Sequence, residues 1–305
     1  MDTPRLVALG SCYVDYNIGD FPARTAAQEE SELIGGAYEN VAGGSAVNFC
    51  RLAGRLGIAP SFVGVTGKDV MAQTLRLLLE RDGVEVHIAQ IEGEQTNVGW
   101  NVTETGGIHR MDIIGTANAA MRPETVMPAL QSALNGADYL YLGGVFKLKG
   151  LLPAYDDIAA MAHEQGVQVV VDHGRLPAET SEETRQTVRR LVSAADYYFP
   201  SKNEFLAVWD FQSIEQGIRQ LQQQAPDLTV IVKNGADGAV FMQDGEVAAV
   251  RPPRIVQGGD VTGAGDSFNA GVIAAHAAGR ELPESVAFGC AVAVAKISGQ
   301  PLPQL

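Results

Sequence analysis

The segment Gly258–Gly271, GGDVTGAGDSFNAG, places a glycine turn and a carboxylate directly before a small, apolar, helix-like run. A Gly-Ala-Gly turn at the start of a helix can point backbone N–H groups and the positive end of the helix dipole at one anion. Asp266 follows this turn, where it would repel a resting phosphate. A carboxylate there suits a base that takes a proton from a hydroxyl attacking phosphorus. The segment indicates phosphoryl transfer, and an Asp that only caps the helix is the plainer alternative.

A second glycine-rich segment, Gly43–Gly57, reads GGSAVNFCRLAGRLG. Gly43 and Gly44 let the backbone approach a ligand closely, and Asn48 in the first helical turn offers both a donor and an acceptor. Sugar hydroxyls need that combination. The alternative is a Gly-Gly turn before an amphipathic helix, with Asn48 as a local capping residue.

These two segments resemble the two signatures of the ribokinase, or PfkB-type, family of carbohydrate kinases. The family's D-T-x-G-A-G-D stands here as Asp260–Asp266, with Val261 in place of the usual Thr. The resemblance runs from Leu6 to Pro303. It implies an α/β fold, the ribokinase-like three-layer αβα sandwich, with a mostly parallel central sheet and a small β-sheet lid over the sugar site.

The resemblance also implies roles for individual residues. Asp266 would act as the base, and the amides of Gly263, Ala264 and Gly265 would stabilise charge on the transferred group. ATP and Mg²⁺ would be the cofactors, K⁺ is a further expectation, and a homodimer through the lid is expected. The residues implied for substrate binding are Asp15, Gly43, Gly44, Asn48 and Tyr13. We expect Asp15 at the end of the first strand, where the first insertion begins.

Further matches concern the nucleotide. The run Val230–Gly238, VIVKNGADG, resembles the family segment that borders ATP, although a plain β-turn accounts for it nearly as well. The run PSKNEF, which begins at Pro200, resembles the family's N-x-x-E element, which orders water around magnesium. Glu204 then stands at the Glu of this element; the alternative is that Glu204 only complements a helix dipole. The residues implied for cofactor binding are Lys233, Asn234, Gly235, Gly238 and Thr262, and Glu204 is implied for the metal.

Departures from the ribokinase pattern leave the acceptor open. Tyr13 stands where ribokinase has Asn, and Ser45 where it usually has Lys. Tyr13, Tyr16 and Trp100 are candidates to stack on a base or a hexose face, or they pack within the lid. Three hypotheses follow: an ATP-dependent sugar kinase, a nucleoside kinase, and a catalytically silent sugar-binding regulatory protein. The intact Asp266 argues against the third.

Strand-like and helix-like runs alternate along most of the chain, as in Phe62–Val65, Met71–Arg81 and Val84–Ile91. This order predicts a parallel sheet covered on both faces. Two polar, glycine-rich stretches, about 13–41 and 93–121, break the pattern. We expect them to form a small antiparallel sheet, with a strand at 96–103 and a hairpin turn at 104–107, as the lid of a single domain 1–305; two surface loops are the alternative.

The 305 residues carry a net charge of −14, which argues against a nucleic-acid partner. GVTGKD lacks the Ser or Thr of a phosphate-binding loop after Lys68, and the first strand has no dinucleotide fingerprint. Three cysteines without CxxC spacing and scattered histidines support neither disulfides nor a zinc site. With no long apolar run, the sequence predicts a cytoplasmic protein without a membrane partner.

Overall fold

A computed structural model describes residues 3–21, 36–104, 109–256 and 261–305. Its main element is a nine-stranded sheet in the order β13-β12-β11-β10-β9-β8-β1-β4-β5. Across the sheet, every neighbouring pair between β11 and β5 is parallel. At the other edge, β12 pairs antiparallel with β11, and β13 pairs antiparallel with β12. The strands of this sheet are β1 Arg5–Gly10, β4 Ala59–Gly67, β5 Glu85–Ile91, β8 Tyr139–Gly143, β9 Gln168–Asp172, β10 Tyr197–Tyr198, β11 Thr229–Lys233, β12 Ala239–Gln243 and β13 Glu246–Val250.

Helices cover both faces of this sheet, as the apolar strands predict. Successive strand residues point to opposite faces, so Val7 and Leu9 join one core while Leu6 and Ala8 join the other. Helices α1, α2, α9 and α10 pack on the Leu6 side, and α4 to α8 on the Val7 side. The helices are α1 Ser45–Arg55, α2 Val70–Arg81, α3 Ala117–Ala120, α4 Pro123–Ala133, α5 Tyr155–Glu164, α6 Glu182–Ser193, α7 Lys202–Trp209, α8 Ile214–Gln224, α9 Ala264–Ala277 and α10 Leu282–Ile297.

The two interrupting stretches contribute a separate four-stranded sheet in the order β3-β2-β6-β7. The expectation of an antiparallel sheet is wrong for its central pair, because β2 and β6 run parallel while the outer pairs are antiparallel. Between the two stretches the chain forms β4 and β5 of the main sheet. Both β2 and β6 therefore start at the main sheet and run away from it, which makes them parallel. The strands are β2 Tyr13–Phe21, β3 Ala37–Gly43, β6 Val98–Glu104 and β7 His109–Ile114. Residues 105–107 of the expected hairpin turn lie outside the described residues.

One positional expectation also changes. The sequence puts Asp15 at the end of the first strand, but β1 ends at Gly10 and Asp15 lies inside β2 of the smaller sheet. Asp15 therefore belongs to the smaller, four-stranded sheet and not to the edge of the main sheet. Among the described residues, none of the helices is both long and apolar enough to span a bilayer.

Candidate active site

The glycine turn before α9 holds Asp266 against the start of α1. Gly263 has a left-handed φ of 71°, which turns the chain so that α9 begins at Ala264 with Asp266 in its first turn. Ser45 Oγ donates to Asp266 Oδ1 at 2.6 Å, and Asn48 Nδ2 donates to Asp266 Oδ2 at 3.1 Å. The two glycine-rich segments therefore meet at one carboxylate.

The surroundings of Asp266 tune its protonation. Burial raises the pKa of Asp266 to about 6, and the charge of Asp172 acts in the same direction. The hydrogen bonds from Ser45 and Asn48 and the charge of Lys233 lower the pKa. A carboxylate with this pKa is ionised at neutral pH and still accepts a proton readily, as a general base requires.

The three amides expected to bind an anion differ in their partners. The N–H of Ala264 donates to the Val261 carbonyl at 3.1 Å. Gly265, at the second helical position, is among the residues whose N–H groups an α-helix leaves without an intrahelical acceptor. Gly263 lies beside Asn48, since a Cβ added there would sit 3.4 Å from Asn48 Nδ2.

Behind this turn lies a buried ion pair. Lys233 Nζ binds Asp172 Oδ2 at 2.6 Å and lies 3.3 Å from Asn269 Oδ1. Asn269 Nδ2 donates to the same Asp172 oxygen at 2.7 Å. Burial raises the pKa of Asp172, but the charge and hydrogen bond of Lys233, together with His173 and Asn269, outweigh burial and hold the pKa below its usual value. A Cβ on Gly265 would stand 3.4 Å from Lys233 Nζ, so the ammonium lies directly under the turn.

Asp15 lies in a cradle formed by two glycines. A Cβ at Gly43 would come within 1.8 Å of Asp15 Oδ2, and one at Gly99 within 2.1 Å of Oδ1. Burial raises the pKa of Asp15 to about 6, against the opposing charges of Lys147 and Arg51. Its Oδ1 is buried without a hydrogen-bond partner among the described residues. A ligand hydroxyl is a suitable missing partner for such an atom.

Asp15, Asn48 and Gly263 line one open cleft of about 1400 Å³ between the smaller sheet and helices α1, α9 and α10. A single small-molecule site usually measures about 300–1,000 Å³, so this cleft has room for two ligands. Thr262 and Lys296 lie on the wall formed by the α9 turn and α10. Among the described residues, no group of three His, Cys, Asp or Glu side chains is placed to hold a metal ion.

The remaining predicted residues lie elsewhere. Tyr13 is 7% exposed and packs behind Gly44, whose φ of 112° and closeness to the Ser11 carbonyl require a glycine. Its ring lies 5.9 Å from Lys147 Nζ. Tyr16 and Trp100 stack on each other with ring centroids 4.9 Å apart. This mutual stacking matches the lid-packing alternative for these two aromatic residues.

Three residues of the predicted nucleotide segment form a tight hairpin. The N–H of Asn234 donates to the Gly238 carbonyl at 2.7 Å, and Gly235 begins a short 3-10 turn. A Cβ at Gly238 would lie 1.9 Å from the Val250 carbonyl oxygen, so this glycine permits the close approach of β12 and β13. The segment thus brings Lys233 to the glycine turn, and a role for Asn234, Gly235 and Gly238 at the nucleotide stays a prediction.

Glu204 lies at the start of α7, where its Oε2 accepts a 2.8 Å hydrogen bond from the Ser201 N–H. This is one half of a capping box, which stabilises a helix start. The contact matches the helix-terminus alternative of the sequence, and a role for Glu204 around a metal stays a prediction.

Sequence reasoning missed four residues that contribute to the site. Ser45 was noted only as a departure, although it binds Asp266. Gly99 was not singled out, and Asn17 and Asn101 line the cleft beside Asp15. The available signal was the alternation of side chains along a strand, which puts Asp15 with Asn17 and Gly99 with Asn101 on one face.

Comparisons with known proteins agree with this geometry. A family model described as pfkB family carbohydrate kinase matches residues 4–300. Ribokinase of Haemophilus influenzae is 25% identical over 299 residues, covering 96% of this chain and 92% of that protein. A nucleoside kinase of Methanothermobacter thermautotrophicus is 26% identical over 294 residues, covering 94% and 87%. The structure of a putative ribokinase II of E. coli in complex with ATP and Mg²⁺ superposes with a TM-score of 0.77 at 20% identity, covering 96% of this chain and 93% of that one.

Proposed function

The chain belongs to the pfkB family of carbohydrate kinases, and we propose that Asp266 is the base with which it phosphorylates a hydroxyl of a small sugar. The enzyme is an ATP-dependent phosphotransferase with an alcohol group as acceptor. The observation that carries the proposal is the position of Asp266, held by Ser45 and Asn48 at the start of α9 beside the cleft.

The proposed step transfers the γ-phosphoryl group of ATP to a sugar hydroxyl. A sugar hydroxyl held by Asp15 and Asn48 gives its proton to the Asp266 carboxylate as its oxygen bonds to the γ-phosphorus of ATP. The bond from that phosphorus to the bridging oxygen breaks, and ADP carries away the charge. The Gly263 and Gly265 amides and the dipole of α9 stabilise the charge on the transferred group.

Residues near the glycine turn suit the phosphates of ATP. Lys233 adds positive charge beneath Gly265, while Asp172 keeps that ammonium in place. Thr262 lies on the cleft wall next to the turn. The ATP- and Mg²⁺-bound E. coli structure supports Mg²⁺ as the ion that neutralises phosphate charge when bound. Glu204 would act through water, and Asn234, Gly235 and Gly238 would border the nucleotide from the hairpin.

We also propose that the smaller sheet is a lid and that two copies of the chain form a homodimer through it. Tyr38, Met111 and Ile114 are 71%, 50% and 56% exposed on the smaller sheet, which fits its role as a lid and a homodimer contact. We also propose a K⁺ requirement, which the family resemblance implies, and a cytoplasmic location, which the three free cysteines support. Light scattering of the purified chain tests the dimer, and activity with and without potassium tests the cation.

A nucleoside acceptor is the second candidate, because the archaeal relative is a nucleoside kinase. ADP release with Mg²⁺ and ATP across pentoses, hexoses and nucleosides distinguishes the two. In Asp266→Asn we expect turnover to fall by roughly two or more orders of magnitude with little change in ATP or sugar binding. Near-normal turnover in that variant would rule out Asp266 as the base. Sugar binding without ADP release by the unchanged enzyme would indicate the silent sugar-binding alternative.

A further inference from the structure

Beyond Asp15, the cleft-facing side of the smaller sheet carries a row of polar side chains that the proposed step does not use. Asn17 in β2 lies opposite Asn101 in β6. Asn101 Nδ2 donates to Asn17 Oδ1 at 2.9 Å, and Asn17 Nδ2 donates to Glu39 Oε1 at 3.3 Å. All three line the same cleft as Asp15 and Asn48. We call Glu39, Asn17 and Asn101 the amide row.

The amide row lies farther from the reacting centre than Asp15. Asp15 pairs with Val41, close to Gly43 and the start of α1, whereas Asn17 pairs with Glu39 farther out along the same strand. Two residues along a strand span about 6.6 Å. This is roughly the width of one sugar ring, so a pentose seated on Asp15 would reach the inner edge of the row at most.

The amide row has unused hydrogen-bonding capacity. Each Asn side chain has two donor hydrogens and an acceptor oxygen with two lone pairs. Among the described residues, no hydrogen bond reaches Asn101 Oδ1, and the Glu39 carboxylate accepts a hydrogen bond at Oε1 but not at Oε2. Because the two amides fix each other, they present these acceptors with little loss of side-chain entropy on binding.

The chemistry of the row selects the kind of ligand. Asp15, Glu39 and the amide oxygens make this face rich in acceptors and negatively charged, which favours hydroxyl donors and disfavours a carboxylate or phosphate. Arg51, on the same cleft, is bound to Asp82 and to the Ala42 carbonyl and is not available to an anion. The exposed Arg55 is the remaining arginine on the cleft wall within the described residues, and Lys296 lies on the other wall, on α10 near the glycine turn and not on the smaller sheet.

An aromatic base finds little to stack on along this face. Tyr16 and Trp100 alternate with the row residues along β2 and β6, and they stack on each other on the opposite side of the sheet. Among the described residues that line the cleft, Tyr38 is the one aromatic residue. It is 71% exposed on the edge strand β3, and its ring centroid lies 6.3 Å from that of Tyr16, on the side of the sheet away from the row.

We infer that the acceptor is a neutral polyhydroxyl compound longer than a single pentose, with its distal hydroxyls bound by Asn17 and Asn101. This inference rests on the proposed function and adds the acceptor's length and charge to it. Asn17 and Asn101 are then specificity-determining residues, and they take no part in the proton transfer at Asp266.

The test compares the full chain with Asn17→Ala and Asn101→Ala, using ribose, a hexose, a disaccharide, a hexonic acid and a nucleoside as acceptors. Initial rates of ADP release give kcat and KM, and calorimetric titration of each acceptor gives binding without turnover. Asp112→Ala serves as the matched control, because Asp112 is exposed on the same sheet opposite Trp100. Asn17→Ser and Asn101→Ser replace any alanine variant that fails to fold.

We expect a neutral acceptor longer than ribose to have a kcat/KM at least tenfold above that of ribose. The row variants should raise KM for that acceptor roughly tenfold, as expected for the loss of one hydrogen bond to a ligand. Their kcat, and both constants for ribose, should change less than twofold, and the control should match the unchanged enzyme.

Two results would overturn the inference while leaving the kinase proposal intact. One is a preference for the hexonic acid or the nucleoside, which would assign the outer cleft to Arg55 or Tyr38. The other is an equal loss for ribose and for longer acceptors, which would make the row a structural feature only. If no acceptor is phosphorylated and none binds, the proposed function itself fails and the inference fails with it.

Discussion

The hydroxyl of Ser45 donates a 2.6 Å hydrogen bond to Oδ1 of Asp266, although 221 positions separate the two residues in the sequence. This contact joins the start of α1, which bears the predicted sugar ligands, to the start of α9, which bears the predicted base. The same carboxylate accepts from Asn48. Any displacement of α1 therefore changes the orientation and the basicity of Asp266.

Replacing Ser45 by Ala should shift the pH dependence of catalysis. The hydrogen bond favours the charged form of Asp266, so its loss raises the pKa above the present value of about 6. A base must be deprotonated, and the acidic limb of kcat/KM against pH should move to higher pH, with the largest loss below pH 6. Ser193→Ala, on the exposed face of α6, is the control. An unshifted limb would show that Ser45 does not influence the group that titrates.

Replacing Gly99 by Ala should weaken acceptor binding without affecting ATP. The new Cβ would lie 2.1 Å from Asp15 Oδ1, so the carboxylate must move out of its cradle. We expect KM for the acceptor to rise at least tenfold while KM for ATP stays within twofold. Gly19→Ala is the matched control, since a Cβ there meets nothing within 4 Å. Equal effects of the two substitutions on acceptor KM would contradict the cradle.

Removing Lys233 should destabilise the fold more than removing an exposed cation does. Its side chain is 14% exposed and that of Asp172 is 6% exposed, so Lys233→Met leaves a buried carboxylate without its cation. We expect a loss of about 3–5 kcal/mol in the free energy of unfolding, measured with urea. Arg219→Met, which breaks a pair with the exposed Glu246, should have no measurable effect.

The double variant Asp172→Asn with Lys233→Met separates the ion pair from packing. Because no buried charge is then left unpaired, much of the lost stability should return. A double variant no more stable than Lys233→Met would mean that packing, and not the pair, accounts for the loss.

Replacing Asp15 by Asn should stabilise the protein near neutral pH while impairing acceptor binding. The pKa of Asp15 is about 6 in the folded state and near 3.8 when unfolded, so the native state binds more protons between these values. The wild-type protein therefore loses stability from this group as pH rises from about 4 to 6. The variant should melt at a higher temperature at pH 7, and the difference should shrink toward zero at pH 4. A constant difference at both pH values would contradict the raised pKa.

Much of this protein was readable from local sequence. The turn Gly263–Asp266 and the run Gly43–Asn48 indicate a kinase through their resemblance to the two family signatures, which are short and therefore visible in local sequence. The parallel main sheet followed from alternating apolar strands and helices, since hydrophobic periodicity is a local property. The same reasoning put Asn48 in the first turn of a helix, where α1 has it.

The tertiary structure decided which distant residues meet. The parallel pairing of β2 with β6 brings Gly99 against Asp15 and Asn101 against Asn17, and no local pattern encodes that register. The sequence favours a role for Glu204 near the metal and leaves the helix terminus as the alternative, and only the tertiary structure shows its hydrogen bond to the Ser201 N–H. Hydrogen bonds and close approaches depend on distances of a few ångströms between segments far apart in the chain. Those distances are set by the packing of helices and sheets, so they exist only once the whole chain has folded.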